Sequence, residues 1–406
     1  MADYDVIIVG GGPGGSTCAS YLGKKGYKAL LLDKAKFPRD KTCGDGISGK
    51  STRILDELGV AVQVEKSPHA EMNGVIFSSP KGEILEVEVP EGGRNPAGYV
   101  CRREVFDNVL FQNAKNHATV MEEFTVTDVL KEGTQVVGVE GMGKDGKKQQ
   151  FKARIVVGAD GALSTVSRKL GFYDDDPEHV LVGMRCYYEG VTGMKDKIEL
   201  HFTEELIPGY FWIFPIEGGK ANIGLGMVVK DFQTRYKGKR LDDIMFKIIQ
   251  EHPLFKDRFK DAKQVTPIRG WNLPCGSKLR KMVADGALLI GDAAALIDPL
   301  SGEGIGNAMT SGKMASEVID NAFKANDFTA KALMPYQDMV YSKLGSEMKL
   351  SYKLQKMGVH KWLLNFIIGK AVHKPELRDV ISMSLMKPEE KEVLTSPLFY
   401  LKLLFF

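Results

Sequence analysis

The chain has 406 residues, 43% of them hydrophobic and 26% charged, with a formal net charge of +3. That length fits two or three domains, the composition is that of a globular protein with a sizeable core, and the near-neutral balance makes no case for nucleic acid as a partner. Five scattered cysteines without a CxxC pair argue against a disulfide framework, a zinc site or an iron–sulfur cluster, and for a reducing, cytoplasmic compartment. No metal is expected. No basic segment leads into a long apolar stretch, and no run of about 18 apolar residues occurs, so neither a signal peptide nor a membrane span is expected.

The first element is a short apolar strand, Val6 to Val9, which runs into Gly10-Gly-Gly12-Pro13-Gly14-Gly15. An amphipathic helix follows from Ser16 to about Lys25, then a second strand, Ala29 to Leu32, ending in Asp33. This is a dinucleotide-binding βαβ unit. Gly10 allows the tight turn, Gly12 lets the backbone approach a pyrophosphate, and Gly15 lets helix and strand pack closely. The helix N-terminus offers free N–H groups and partial positive charge to phosphates. A carboxylate at Asp33 can accept from a ribose hydroxyl, which argues against NADP and fits FAD or NAD.

A loop from Lys34 to Lys41 leads to Thr42-Cys43-Gly44-Asp45-Gly46 and a helix over about 48–58. Alternation over 72–100, with turn signals at Pro80-Lys-Gly82 and Glu91-Gly-Gly93, predicts a β-hairpin layer. Helical spacing returns at Arg102 to Phe111 and carries Arg103. Phe124 to Val139 and Lys152 to Val157 read as strands, joined by a turn at Lys144-Asp-Gly146, and the second runs into Gly158-Ala-Asp160-Gly161-Ala-Leu-Ser164. Residues 181–230 are strand-rich and contain Pro208-Gly-Tyr210-Phe-Trp212-Ile-Phe214-Pro215; residues 240–260 read as helical. Ala287 to Ile290 has the apolar character of a buried parallel strand and ends in Gly291-Asp292. Pro299-Leu-Ser-Gly302-Glu-Gly304-Ile305-Gly-Asn307 opens a helix through Ile319, and 330–406 read as helices.

Strands recurring near 6, 155 and 287 predict an α/β architecture in which one Rossmann-type nucleotide domain is assembled from 1–72, 98–180 and 277–330. The β-rich stretches 73–97 and 181–276 form a substrate domain, and 331–406 a C-terminal helical region. Taken singly, Asp160 could sit in a plain strand-end turn, Asp292 could cap a helix, Cys43 could be a small buried hydrophobe, and Tyr210, Trp212 and Phe214 could be one packed strand face. Trp271 and the seven histidines form no ligand cluster and are assigned to structure.

The order of these motifs resembles the FAD-dependent enzymes of the para-hydroxybenzoate hydroxylase fold. That resemblance implies FAD, with Gly10, Gly12, Pro13, Gly14 and Gly15 at its pyrophosphate and Asp33 and Lys34 at the adenosine ribose. Arg103 matches a cofactor-contacting position, with Arg102 its rival in register, and Asp160, Gly161 and Ser164 belong to the same site. Gly291 and Asp292 would meet the ribityl chain. Pro299, Gly302, Gly304, Ile305 and Asn307 would line the flavin ring, beside a helix N-terminus that stabilises its reduced, anionic form.

Within that fold, the loop Cys43-Gly44-Asp45-Gly46 resembles the CGG-type loop of geranylgeranyl reductases, which implies that Cys43, Gly44, Asp45 and Gly46 lie at the flavin, although Asp45 stands where some members carry a second glycine. Tyr210-x-Trp212-x-Phe214-Pro215 resembles their YxWxFP substrate-cavity motif. The resemblance implies reduction of C=C bonds in an isoprenoid lipid by hydride from reduced flavin. Tyr210, Trp212, Phe214 and Pro215 would contact substrate, and Cys43, Tyr210 and Trp212 are the catalytic candidates. The electron donor would be NAD(P)H or a small redox protein. The apolar stretches Trp362 to Ile368 and Leu398 to Phe406, flanked by lysines, either pack on the domains or lie peripherally on the inner face of the cell membrane. The alternative is an FAD-dependent monooxygenase or halogenase acting on an aromatic or hydrophobic small molecule, because Gly209 to Pro215 is near the GWxWxIP pattern of tryptophan halogenases.

Overall fold

The computed structural model describes residues 2–88 and 98–386. The turn expected at Glu91-Gly-Gly93 and the apolar tail Leu398 to Phe406 lie outside the described residues. The first sheet is built on parallel neighbours: Tyr4–Val9 lies between Ala29–Leu32 and Lys148–Gly158, and Lys148–Gly158 also pairs with Ala287–Leu289. Thr119–Met121 extends the sheet beyond Ala29–Leu32. The central strands are fully buried, Val6, Ile7, Ile8, Leu30, Leu31, Ile155, Val156 and Val157 among them. Near-continuous apolar runs of this kind are what a parallel sheet covered on both faces requires. Helices Pro13–Lys24, Ile305–Ala325 and Ala330–Val340 contribute to the same core.

The first helix begins at Pro13, earlier than the expected Ser16, because proline is preorganised for the opening position and lacks the N–H that would be orphaned there. The stretch expected as a strand from Phe124 to Val139 is two antiparallel strands, Thr125–Glu132 and Gln135–Met142, divided at Gly133, whose φ is +63°. The helix expected over 240–260 stops at Glu251, since Pro253 disfavours helical backbone at His252.

The second sheet runs Lys263–Gln264, Val180–Glu189, Lys220–Val228, Tyr210–Ile216, Ile198–His201, Gly74–Ser78, Ile84–Glu88, with Arg269–Pro274 also paired to Val180–Glu189. Its two faces divide by side-chain alternation. Cys186, Phe211, Ile213, Ile223 and Leu225 pack against helix Leu241–Glu251. Tyr187, Trp212, Phe214 and Ile216 form a separate cluster on the other face. A three-stranded sheet, Gly46–Ile47, Tyr99–Val100 and Ala70–Glu71, lies beside helices Gly49–Leu58 and Arg103–Lys115.

Candidate active site

One cavity of about 970 Å³ brings the glycine turns and the aromatic strand face together. It lies at the upper end of the usual range for ligand pockets, about 300–1,000 Å³. Its lining includes Gly10, Gly12, Pro13, Gly14, Asp33, Lys34, Cys43, Gly44, Gly46 and Arg103. It also includes Asp160, Gly161, Tyr210, Trp212, Phe214, Gly291, Asp292, Gly302, Gly304 and Ile305. Gly15, Asp45, Ser164, Pro215, Pro299 and Asn307 are not on that lining, and each has a different task or place.

Gly15 sits under the turn: a Cβ there would lie 1.9 Å from the Gly10 carbonyl oxygen. Gly10 itself has φ +107°, and a Cβ on it would meet the Ala159 carbonyl oxygen at 2.3 Å. Gly12 differs, because its Cβ would meet nothing nearer than Arg39 Nη2 at 3.6 Å. Its neighbouring space belongs to the cavity. The backbone N–H of Gly11 donates to Asp33 Oδ2 at 2.7 Å and that of Ala35 to Oδ1 at 2.7 Å. Asp33 lies on the cavity lining, and each carboxylate oxygen has accepting capacity beyond its one backbone partner. The N-cap residues Gly12 and Gly304 carry no side-chain acceptor, and both helix N-termini lie on the cavity, where at the second helix Glu303 Oε1 accepts from the Gly306 N–H at 2.6 Å. The two helices touch at Gly14 and Gly312, where a Cβ on Gly312 would lie 2.5 Å from the Gly14 carbonyl oxygen.

Asp160 lines the cavity and also accepts from Ser164 Oγ and from the N–H groups of Thr165 and Val166, so it closes a strand-end turn. Ser164 caps helix Thr165–Leu170 and faces away from the cavity. Asn307 is buried, with its amide donating to the carbonyls of Leu296 and Glu303 and accepting from Lys50 Nζ at 3.2 Å. The Pro299 carbonyl accepts from Gln355. These residues shape the Gly302–Ile305 loop from behind.

Arg103 is buried in a paired fork: Nε and Nη2 donate to the two oxygens of Asp107, each at 2.7 Å, and Arg39 Nη1 reaches Asp107 Oδ2 at 2.9 Å. Burial alone would raise the Asp107 carboxyl, but Arg103 and Arg39 hold it below its usual range. Arg102 instead pairs with Glu217 at 2.5 Å, outside the cavity. Cys43 is half-buried on the lining; burial raises its thiol, partly countered by Arg103. Asp45, expected at the cofactor, turns away from the cavity into a fully buried position, at φ +67°. A carboxylate is drawn there by three donors: Tyr187 Oη at 2.7 Å, Asn222 Nδ2 at 2.7 Å and the Arg103 N–H at 3.2 Å.

Burial pushes the Asp45 carboxyl up to about 6, against the pull of those donors. The folded chain therefore holds a proton more tightly than the unfolded one between about pH 4 and 6. The contribution of this group to stability is largest below that window and is lost as pH rises through it. Melting curves of Asp45→Asn should consequently gain on the parent between pH 4 and 6 and run parallel to it above; a constant offset across the range would contradict this.

Sequence reasoning missed four residues. Arg39 and Lys41 both line the cavity, Lys41 Nζ lying 3.6 Å from Asp292 Oδ2 and 5.5 Å above the Trp271 ring. Their signal was the basic spacing in the loop after Asp33. Trp271, assigned to structure, belongs to the cavity wall. Gly224 makes room for the Trp212 indole: a Cβ there would lie 2.2 Å from Trp212 Cζ2. A glycine inside an apolar strand was the available sign.

The aromatic stripe is continuous. Ring centroids of Tyr210 and Trp212 are 6.1 Å apart and those of Trp212 and Phe214 are 6.2 Å apart. Tyr210 Oη donates to the Ser301 carbonyl at 2.6 Å. Pro215 points off the lining, since alternate strand residues face opposite sides.

The FAD binding domain family model matches residues 3–315. The digeranylgeranylglycerophospholipid reductase of Methanocella arvoryzae is 31% identical over 88% of this chain and 87% of its own. A geranylgeranyl bacteriochlorophyll reductase-like protein from Thermoplasma acidophilum superposes with a TM-score of 0.83 at 25% identity, over 97% of this chain and 98% of that one. The flavin-dependent brominase Bmp2 shares the fold at a TM-score of 0.77 and 24% identity, over 94% and 93% of the two chains. FAD is the cofactor, and the open face of Gly12, the N-terminus of helix Pro13–Lys24 on the cavity and the Asp33 carboxylate beside it fit it.

Proposed function

Because the chain belongs to the FAD binding domain family, and within it to the digeranylgeranylglycerophospholipid reductases, we propose that it saturates C=C bonds in the geranylgeranyl chains of a phospholipid. The observation that carries this reading is the apolar, aromatic wall Tyr210–Trp212–Phe214 on the same cavity as the nucleotide-binding turns. FAD, when bound and reduced, supplies the hydride, and its electrons come from NAD(P)H or a small redox protein. The Asp33 carboxylate would accept from the adenosine ribose, the Gly10–Gly15 turn would receive the pyrophosphate, and Asp292 and the Gly302–Ile305 loop would line the flavin end.

An isolated trisubstituted alkene is a poor electrophile, so proton delivery to one carbon must accompany hydride arrival at the other. Positive charge then grows on the substituted carbon. The faces of Tyr210 and Trp212 stabilise it by cation–π attraction, about 0.5–2 kcal/mol each. With its hydroxyl hydrogen held by Ser301, Tyr210 presents ring rather than dipole, and Trp212 gives its N–H to Asn222 at 2.9 Å. Both polar handles are thus tied back into protein and the wall stays dry. Cys43 lines the same cavity, and the next residue, Gly44, lies against Phe214 of that wall, where a Cβ would be 3.0 Å from the ring.

Incubation of the FAD-loaded protein with a digeranylgeranyl phospholipid and a reductant should add two hydrogens per double bond, read by mass spectrometry of the lipid. Unchanged lipid under reducing conditions, or product carrying oxygen or halogen, would overturn the assignment.

The lipid reaches the cavity from a membrane surface. No helix of the described residues is long and apolar enough to cross one. Helix Lys361–His373 instead buries Leu363, Ile368 and Ala371, the last two against Leu85 and Val87 of the hairpin. It leaves Trp362 65% exposed, next to Val359 at 51%, among lysines. Tryptophan beside lysine suits the headgroup level of a bilayer. Trp362→Glu should therefore cut co-sedimentation with phosphatidylglycerol vesicles several-fold, about 1–2 kcal/mol of binding, while sparing FAD content; equal binding would place the contact elsewhere.

A further inference from the structure

Three features of the second sheet converge on one amide. In the strand register, Asn222 lies between Tyr187 and Phe214, and Trp212 lies opposite Gly224. Asn222 Oδ1 accepts from Trp212 Nε1 at 2.9 Å. Its Nδ2 donates to the Cys43 carbonyl at 2.8 Å and to Asp45 Oδ2 at 2.7 Å. An indole N–H only donates, so the amide oxygen must face Trp212. The amide nitrogen must then face acceptors, which the carbonyl of Cys43 and the carboxylate of Asp45 provide. Turned over, the amide would set N–H against N–H and oxygen against oxygen.

We propose that Asp45 is a positioning residue that fixes the Asn222 amide and through it locks the Trp212 indole against the Cys43 loop. The side chain touches neither cavity nor cofactor space, so its effect on the site is wholly indirect. Two features single it out. A non-glycine residue is held in left-handed backbone at a position where glycine would be unstrained. Its charge is also buried, with Tyr187 and Asn222 sharing one oxygen. Both are local costs that a loop needing only flexibility would avoid. These contacts lie outside the cavity and do not depend on which substrate fills it.

The test is the reactivity of Cys43 in the FAD-loaded protein. Cys43 is half-buried, whereas Cys18, Cys101, Cys186 and Cys275 are buried, so peptide mapping after N-ethylmaleimide isolates its rate. Asp45→Gly should raise the Cys43 rate about tenfold, the scale of one hydrogen bond to a charged group, and leave the other four cysteines unreactive. Asn222→Ala should do the same, and the double variant should be no faster than either, because both act through one chain of contacts. Tyr187→Phe removes a single hydroxyl from a buried ring and should give a smaller rise in the same direction. It decides the matter should Asp45→Gly prove unfolded. Unchanged Cys43 rates, additive effects in the double variant, or a rise at all five cysteines together would overturn the proposal.

Discussion

Gly12→Val should give a stable, folded protein that cannot retain FAD. At most glycines of this turn a side chain would break the fold itself. A Cβ at Gly15 falls 1.9 Å from a backbone oxygen, and Gly10 holds a backbone angle that valine resists. Gly12 has φ −68° and ψ −176°, extended backbone open to any residue. Its Cβ direction meets only the tip of Arg39 at 3.6 Å. The isopropyl group would therefore stand in the cavity at the mouth of helix Pro13–Lys24, where the pyrophosphate must come within hydrogen-bonding distance of backbone N–H groups. Loss of that approach should weaken FAD binding by about 10³-fold or more, about 4 kcal/mol. Flavin fluorescence titration measures the affinity, and a melting temperature close to the parent's shows that the fold is intact. Retained yellow colour would mean that the dinucleotide enters by another turn.

The parts of the molecule legible in the sequence are those whose physics is local. The strand–turn–helix–strand over residues 4–32 follows from apolar runs and glycine spacing within one stretch of chain. Ala287–Leu289 is equally plain, since a strand buried on both faces is apolar throughout. The motif Tyr210–Pro215 could be read because strand alternation puts Tyr210, Trp212 and Phe214 on one side whatever the partner strands are. What escaped depends on neighbours far along the chain. Asp45 reads as one more member of a loop around the cofactor until Tyr187 and Asn222 arrive from strands more than a hundred residues away. Gly224 has meaning only once it lies opposite Trp212. Trp271 joins the wall because Arg269–Pro274 pairs with Val180–Glu189, a register that no local pattern announces. Gly133 is a simpler omission, a turn residue inside a run of strand formers.

Replacing Trp212 separates a wall that binds from a wall that promotes chemistry. Its indole is seated on Gly224, flanked by Tyr210 and Phe214, and tethered by Asn222. Trp212→Ala should leave FAD affinity unchanged, since the nucleotide-binding turns lie on the other sheet. Lipid turnover should fall by 10-fold or more, because about 1–2 kcal/mol of cation–π stabilisation disappears and water gains entry. The loss should appear in kcat rather than KM, as the positive charge exists only in the transition state. Trp212→Phe keeps a π-face and forfeits the N–H to Asn222, so it should retain most of the rate while loosening the Cys43 loop. A rise in KM at constant kcat for Trp212→Ala would show that the stripe merely holds the chain in place. Equal losses in the alanine and phenylalanine variants would instead shift the burden from the ring to its hydrogen bond.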